Sequence, residues 1–136
     1  MRIAAALALI GAPGTASACR VLTTPPKIEG EFQAIVVAEV SAARDTGRTG
    51  FWTWEIEANV SQVVDGRPGL DTYGFRYVSG SNGCDASPPQ GLFVLYITRT
   101  PHGERVTEAL PLLQAEGVDP RVRAARANRT VPAASN

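Results

Sequence analysis

The sequence has little of several residue types that commonly mark a function. Its 136 residues include two cysteines and one histidine, too few soft ligands for the usual four-ligand zinc site. Basic and acidic side chains are equal in number, 13 of each, which argues against a nucleic-acid-binding protein driven by bulk electrostatics. We therefore expect no metal or other cofactor of its own and no nucleic-acid partner.

Long hydrophobic segments are also missing. The longest apolar run, Ile3 to Ile10, is far shorter than the roughly 20 residues that a transmembrane helix needs. It follows a short positive start and precedes the small residues Ala16-Ser17-Ala18, which is the three-part pattern of a secretory signal peptide. The sequence therefore predicts removal of residues 1–18, a mature chain that begins at Cys19, a secreted or periplasmic location and no transmembrane segment.

The two cysteines are Cys19 and Cys84. An even number of cysteines in an exported chain favours a disulfide. In the chain-entropy model, closing a loop of about 65 residues stabilises the fold by roughly 4 kcal/mol. The alternative is a lipoprotein, because Ala16-Ser17-Ala18-Cys19 is close to a lipobox. Lipidation would use the Cys19 sulfur and leave Cys84 unpaired, and both interpretations stay open at this point.

Period-two alternation dominates the middle of the chain. From Phe51 to Val64, apolar side chains such as Trp52 and Trp54 alternate with polar ones such as Glu55 and Glu57, which predicts a strand with one buried face. Residues 44–50 and 65–69 have the composition of turns. The predicted strands are Phe32–Ala42, Phe51–Val64, Leu70–Val78, Leu92–Arg99 and Glu104–Ala109. One core is predicted to hold Trp52, Trp54, Ile56, Val60, Phe93 and Leu95.

One helix is predicted near the C-terminus. Asp119 followed by Pro120 is typical of a helix start, with the acid as N-cap and the proline at the first helical position. The helix would cover Arg121–Ala127, and residues 128–136 would form a flexible tail. Five short strands and one late helix indicate a small all-β barrel or sandwich, formed by a single domain over residues 19–127.

Candidate catalytic residues are few. Glu55 and Glu57 would project from the same face of a strand about 7 Å apart, and such a pair could serve as acid and base in glycoside hydrolysis. Exposed glutamates on a strand more often keep its outer face solvated. His102 lies between Pro101 and Gly103, as a turn residue would. We therefore expect a protein that is not an enzyme, with a glycoside hydrolase as the least supported alternative.

The order of features resembles a known group of exported modules. Signal cleavage would expose Cys19 as the first residue. The Trp-rich strand ends in Asp65-Gly66-Arg67-Pro68-Gly69, and a Gly83-Cys84-Asp85 turn follows. The next predicted strand starts in the segment from Gly91 to Tyr96, which reads GLFVLY. Over roughly Cys19 to Thr98 the chain is similar to the netrin modules and tissue inhibitors of metalloproteinases. This resemblance implies a five-stranded OB-fold barrel and a disulfide between Cys19 and Cys84.

The inhibitor family implies a specific mode of action. In these inhibitors the free α-amine and carbonyl of the N-terminal cysteine chelate the catalytic zinc of a target enzyme. By position, Cys19 would bind a partner's zinc and Arg20 would enter its specificity pocket, whereas Val21 stands where the inhibitors have a second cysteine. An α-amine with a pKa of about 7.7–8.0 is substantially neutral near pH 7–8, and catalytic zinc keeps an open position. The expected function is thus a monomeric OB-fold binding module whose partner is a secreted zinc metalloprotease.

Overall fold

Five strands and two helices make up the part of the chain that the structure describes. The structure is a computed structural model that describes residues 28–48, 51–81 and 87–130. Cys19, Arg20, Cys84 and the predicted signal segment 1–18 lie outside these residues. The elements are β1 (Ala34–Arg48), β2 (Phe51–Gly66), β3 (Thr72–Ser81), β4 (Leu92–Thr100), β5 (Gly103–Pro111), α1 (Leu112–Val118) and α2 (Pro120–Thr130). The prediction of an all-β fold with five strands is confirmed.

The strands form one antiparallel sheet with the order β3-β2-β1-β4-β5. The central strand β1 pairs with β2 along nearly its whole length, and with β4 from Ala34 to Glu39. Beyond Glu39 its only described pairing is with β2. The β1–β2 hairpin consequently extends past Leu92, the first residue of β4, and β3 and β5 are the two edges of the sheet.

The two faces of the sheet carry two separate hydrophobic clusters. Along β1, successive side chains from Ala34 to Ala38 alternate between the clusters, and all are fully buried. The continuous apolar run of this strand reflects burial on both faces. The inner-face cluster contains Ala34, Val36, Ala38, Ala58, Tyr73, Phe93, Leu95 and Ile97. The outer-face cluster contains Ile35, Val37, Val94, Tyr96, Leu110, Leu112, Ala115 and Val122, so both helices cover the outer face.

The alternation predicted for β2 is confirmed. Trp54, Ile56 and Ala58 are buried, and the intervening Glu55 and Glu57 are exposed. The single shared core is found only in part. Phe93, Leu95 and the half-buried Val60 belong to the inner-face cluster, whereas Trp54 and Ile56 are buried outside it and Trp52 is half-buried.

The prediction that residues 44–50 form the turn between β1 and β2 is wrong in its extent. β1 continues to Arg48 and β2 starts at Phe51, so only residues 49 and 50 lie between the strands. Cross-strand contacts extend the ladder, because Arg44 pairs with Glu55 and the Thr46 hydroxyl donates to the Thr53 carbonyl at 3.0 Å. Favourable pairing across the ladder therefore outweighs the turn-like composition of this segment.

Three strand starts differ slightly from the prediction, including that of β5, which begins at Gly103 instead of Glu104. β1 begins at Ala34 and β3 at Thr72, two residues later than expected in each case. Phe32, expected at the start of β1, instead tilts its ring against Tyr96, with centroids 5.0 Å apart. β2 ends at Gly66, where φ is +72° and a Cβ would collide with the Gln33 carbonyl oxygen. This position requires glycine because other residues rarely adopt such a φ and no space is available.

Helix α1 was not expected from the sequence. It is seven residues long, has no side-chain N-cap and follows Pro111, so it carries no helix-start signal of the usual kind. Its burial of Leu112 and Ala115 against the sheet supplies the stabilisation that the short helix lacks by itself. No helix in the described ranges has both the length and the apolarity that crossing a membrane requires.

Helix α2 begins where the sequence predicts. The backbone N–H of Arg121 donates to Oδ1 of Asp119 at 3.0 Å, which confirms Asp119 as the N-cap. The helix runs to Thr130, so the boundary of the predicted tail at residue 128 is wrong. Contacts with the sheet extend it: the Gln62 side chain donates to the Ala125 carbonyl at 3.1 Å, and Arg129 donates to Gln62 at 3.4 Å.

Candidate functional site

A depression lies between the two edge strands, and we refer to it as the edge cleft. Its volume is about 720 Å³, within the range of small-molecule and peptide sites. Residues 73–78 of β3 form one wall and residues 104–110 of β5 form the other. Among the residues described, no backbone hydrogen bond joins these two strands. The edge cleft is therefore bordered by two strands that each have an unpaired backbone edge.

One end of the edge cleft is closed by Glu104. Its carboxylate accepts a hydrogen bond from the Tyr73 hydroxyl at 2.7 Å and from the Gly69 backbone N–H at 2.9 and 3.0 Å. The Tyr73 hydroxyl in turn accepts from the Leu70 backbone N–H at 3.2 Å. Glu104 therefore ties β5 to both β3 and the turn before it.

The floor of the edge cleft is apolar. Tyr73 is buried and Phe75 and Tyr77 are half-buried on the inner face of β3, and Phe75 and Tyr77 pack against Phe93 with ring centroids 5.9 and 5.1 Å away. From β5, Val106 packs against the same inner-face cluster. The cleft is thus backed by aromatic and aliphatic side chains that remain partly accessible.

The rim of the edge cleft carries charge. Arg76 on β3 and Arg105 on β5 are exposed and both line it. Besides Glu104, the acidic side chain that lines it is Glu108, which is half-buried. The lining as a whole has no net formal charge, and away from the closed end its charged side chains are Arg76, Arg105 and Glu108.

The tyrosines of the cleft are neutral over the physiological range. Burial, followed by the hydrogen bond to Glu104, raises the pKa of Tyr73 above its ordinary value. Burial also raises the pKa of Tyr77. Neither hydroxyl therefore provides a phenolate near neutral pH, and both can act as hydrogen-bond donors.

A second polar cluster links α2 to the outer face of the sheet. Asp119 is 2 % exposed, and its carboxylate accepts hydrogen bonds from the Tyr96 hydroxyl at 2.9 Å and from the Arg121 side chain at 3.0 and 3.1 Å. Burial acts to raise the pKa of Asp119, but the hydrogen bonds from Arg121 and Tyr96 outweigh it and lower that pKa. Because every oxygen is occupied, this cluster holds the fold together and offers no position to a ligand.

The glutamates considered for glycoside hydrolysis line a different depression of about 580 Å³. Glu55 and Glu57 both border it, as do Arg44 and Arg76. The hydrogen bond and charge of Arg44 lower the pKa of Glu55, whereas a general acid in this reaction needs a raised pKa. Glu55 is therefore an ion-pair partner and is unsuited to act as that acid.

The other residues considered from the sequence are not brought together by the described structure. His102 is exposed in the turn between β4 and β5, where its backbone N–H contacts the Thr100 hydroxyl at 3.3 Å, as expected. No three histidine, cysteine or acidic side chains in residues 28–48, 51–81 and 87–130 are grouped to hold a metal ion. The proposed roles of Cys19, Arg20 and Cys84 concern residues outside those ranges.

The edge cleft itself was not anticipated. Its sequence signal is the alternation of Tyr73, Phe75 and Tyr77 with exposed residues, which identified a strand but not an edge. Which strand lies at an edge depends on the order of all five strands, and that order is a property of the tertiary fold.

Comparison with known proteins does not assign the chain to a family. No protein-family model, no curated protein and no solved structure matches the chain. The likeness to netrin modules and metalloproteinase inhibitors is therefore a resemblance in residue pattern.

Proposed function

We propose that the protein is an exported, monomeric binding module of the OB type. The observation that carries this proposal is the approach of the two edge strands, with Tyr73 on β3 bonded to Glu104 on β5. A five-stranded sheet whose edges approach in this way is what a partly open barrel requires. The β1–β2 ladder also has four register irregularities, and such bulges bend and twist a sheet toward closure.

The contacts of three described carboxylates support binding over catalysis. Glu104 accepts hydrogen bonds from Tyr73 and Gly69, Asp119 is engaged by Tyr96 and Arg121, and Glu55 is paired with Arg44. A catalytic acid or base needs an available proton position and a pKa matched to its role. These three acids are committed to structural contacts.

The specific form that we propose for this activity is inhibition of a secreted zinc metalloprotease through Cys19. The resemblance to the inhibitor family assigns zinc chelation to the α-amine of Cys19 and pocket recognition to Arg20. Ile28 and Phe32 pack against the outer-face cluster, and Arg121 donates to the Gly30 carbonyl at 3.4 Å. The chain is therefore anchored to the domain from Ile28 onward.

The test is a titration of the mature protein against a panel of zinc endopeptidases. Inhibition is expected at micromolar concentration or below, and a version with one extra residue before Cys19 should not inhibit because its α-amine is displaced. Arg20→Thr should change which proteases are inhibited without changing the thermal unfolding midpoint. Equal inhibition by the extended form, or none by either form, would exclude the Cys19 mechanism.

Intact mass measurement separates the alternatives for the N-terminus. A disulfide-bonded mature chain is two hydrogens lighter than its reduced form. A diacylglycerol increment on Cys19 would instead show a lipid-anchored protein with a structural or interaction role. That result would overturn the inhibitor mechanism, because the same residue would then be held at the membrane surface.

A further inference from the structure

We propose that the edge cleft binds an extended peptide, which inserts as an additional strand between β3 and β5, with apolar side chains facing inward and acidic side chains facing outward. This inference rests on the proposal that the protein is a binding module, but it is independent of Cys19. The occupant is a segment of another polypeptide of this composition.

The two edge strands run in the same direction, which leaves room for an antiparallel strand between them. Both edge strands begin at the closed end of the cleft, where Tyr73 meets Glu104, and the antiparallel pairings through β2, β1 and β4 make β3 and β5 run in the same direction. A strand inserted between them can therefore run antiparallel to both. Such a strand would use unpaired N–H and C=O groups on its two sides.

The edge of β3 that lines the cleft is long enough to pair with a peptide strand. Residues 73–78 line the cleft, and six extended residues span about 20 Å. β3 has no proline, and Val78 near the open end is 54 % exposed. Natural edge strands are usually protected by proline, by charge or by a covering element. β3 carries one charged side chain, Arg76, and has no paired strand on this side among the described residues. Such an edge beside a cleft with an apolar floor is suited to strand addition.

The side chains that line the cleft determine which residue types the peptide should have. In an extended peptide, alternate residues point to opposite faces. Those facing the barrel interior would meet Phe75, Tyr77 and Val106, which favour aliphatic residues. Those facing solvent would lie along the rim with Arg76 and Arg105, which favour carboxylates. Glu108 lies on the same wall and weakens this preference for carboxylates without reversing it.

The probe is a fluorescein-labelled octapeptide in which valine alternates with glutamate, titrated into the mature protein by fluorescence anisotropy. Binding is expected at micromolar to submillimolar concentration. The same peptide with lysine in place of glutamate should bind at least about tenfold more weakly, because it faces Arg76 and Arg105. The same peptide with N-methyl groups on alternate backbone nitrogens should not bind, because it cannot form the ladder.

The protein variants test the location. The double variant Arg76→Glu, Arg105→Glu should weaken binding of the glutamate peptide by about tenfold and improve binding of the lysine peptide. Arg123→Glu is the matched control, since Arg123 is exposed on α2 away from the cleft, and it should leave binding nearly unchanged. Amide hydrogen exchange should show new protection in residues 73–78 and 104–110 when the glutamate peptide is bound.

The outcomes distinguish this inference from the proposed function. No binding at millimolar peptide, equal binding of the N-methylated peptide, or protection confined to other strands would overturn it. The chain extended before Cys19 should bind the peptide as well as the mature chain does. Peptide binding without protease inhibition would therefore exclude only the Cys19 mechanism, and inhibition without peptide binding would exclude only the strand-addition site.

Discussion

The Tyr73 hydroxyl on β3 and the Glu104 carboxylate on β5 are joined by a hydrogen bond of 2.7 Å. These residues lie on opposite edges of the sheet. Since Glu104 also accepts from the Gly69 backbone, one carboxylate connects three points of the fold and closes one end of the edge cleft.

This contact should couple the stabilities of the two edge strands. Tyr73→Phe removes a charge-assisted hydrogen bond and should lower the free energy of unfolding by about 1–3 kcal/mol. Glu104→Ala should cost at least as much, since it also leaves the Gly69 N–H without this partner. In a double-mutant cycle followed by urea unfolding, we expect a coupling of about 0.5–3 kcal/mol. The control is Glu108→Ala on the same strand, which should show no coupling to Tyr73→Phe. Purely additive effects of Tyr73→Phe and Glu104→Ala on the free energy of unfolding would contradict the contact.

Trp54 should contribute far more to stability than its neighbour on the same face. It is 6 % exposed, whereas Trp52 is half-buried, and the two rings stack with centroids 6.3 Å apart. Trp54→Ala should lower the free energy of unfolding by about 3–5 kcal/mol, and Trp52→Ala by clearly less. Urea denaturation of both variants checks this. A loss below about 1 kcal/mol for Trp54→Ala would place this ring at the surface.

Asp119 should make the fold sensitive to acid. Its pKa is lowered in the folded state by Arg121 and Tyr96 despite burial, so its stabilising effect is present above the unfolded pKa of about 3.9. The effect is lost as the pH falls through the lower folded pKa. Asp119→Ala should cost about 2–4 kcal/mol at pH 7, because it removes the helix cap and leaves the Tyr96 hydroxyl unpaired.

The matched variant for this prediction is Asp119→Asn, which can still cap α2 but has no charge. Urea unfolding between pH 2 and 7 should show a smaller loss for Asn than for Ala at neutral pH. The difference between the wild type and the Asn variant should shrink below about pH 4. A constant difference over this range would show that the ionised carboxylate is unimportant.

Tyr96 should make the fold sensitive to alkali. Burial and the hydrogen bond to Asp119 raise its pKa, and the neutral phenol is therefore favoured in the folded state. This stabilisation is complete below the unfolded pKa of about 10 and is lost as the pH rises toward the folded pKa. Thermal unfolding from pH 8 to 11 should show Tyr96→Phe as less stable at pH 8, with a flatter decline above pH 10. A decline as steep as that of the wild type would contradict this prediction.

The N-terminus of the exported protein should begin at Cys19 and be joined to Cys84. N-terminal sequencing should start at Cys19, and reduction should add two hydrogens to the intact mass and lower the melting temperature markedly. Cys84→Ser should reproduce the lower melting temperature without reductant. Protein from the oxidising compartment that starts at Met1, or that has two free thiols, would contradict the respective part of this prediction.

Much of the fold is predictable because its signals are local. The period-two pattern from Trp52 to Val60 defines β2 and its buried face, and the Asp119-Pro120 pair defines the start of α2. Each depends on a backbone preference of a few neighbouring residues. Helix α1 has no such signal, because Leu112 and Ala115 are held by packing against the outer face.

The sequence by itself determined the all-β class, the five strands and the helix cap at Asp119. Only the tertiary structure decided that β3 and β5 are the edges, that Tyr73 lies beside Glu104, and that Arg76 and Arg105 border one cleft. The physical reason is sequence separation. Residues about thirty positions apart meet only after every intervening strand has taken its place in the sheet, and strand order leaves almost no trace in the local pattern.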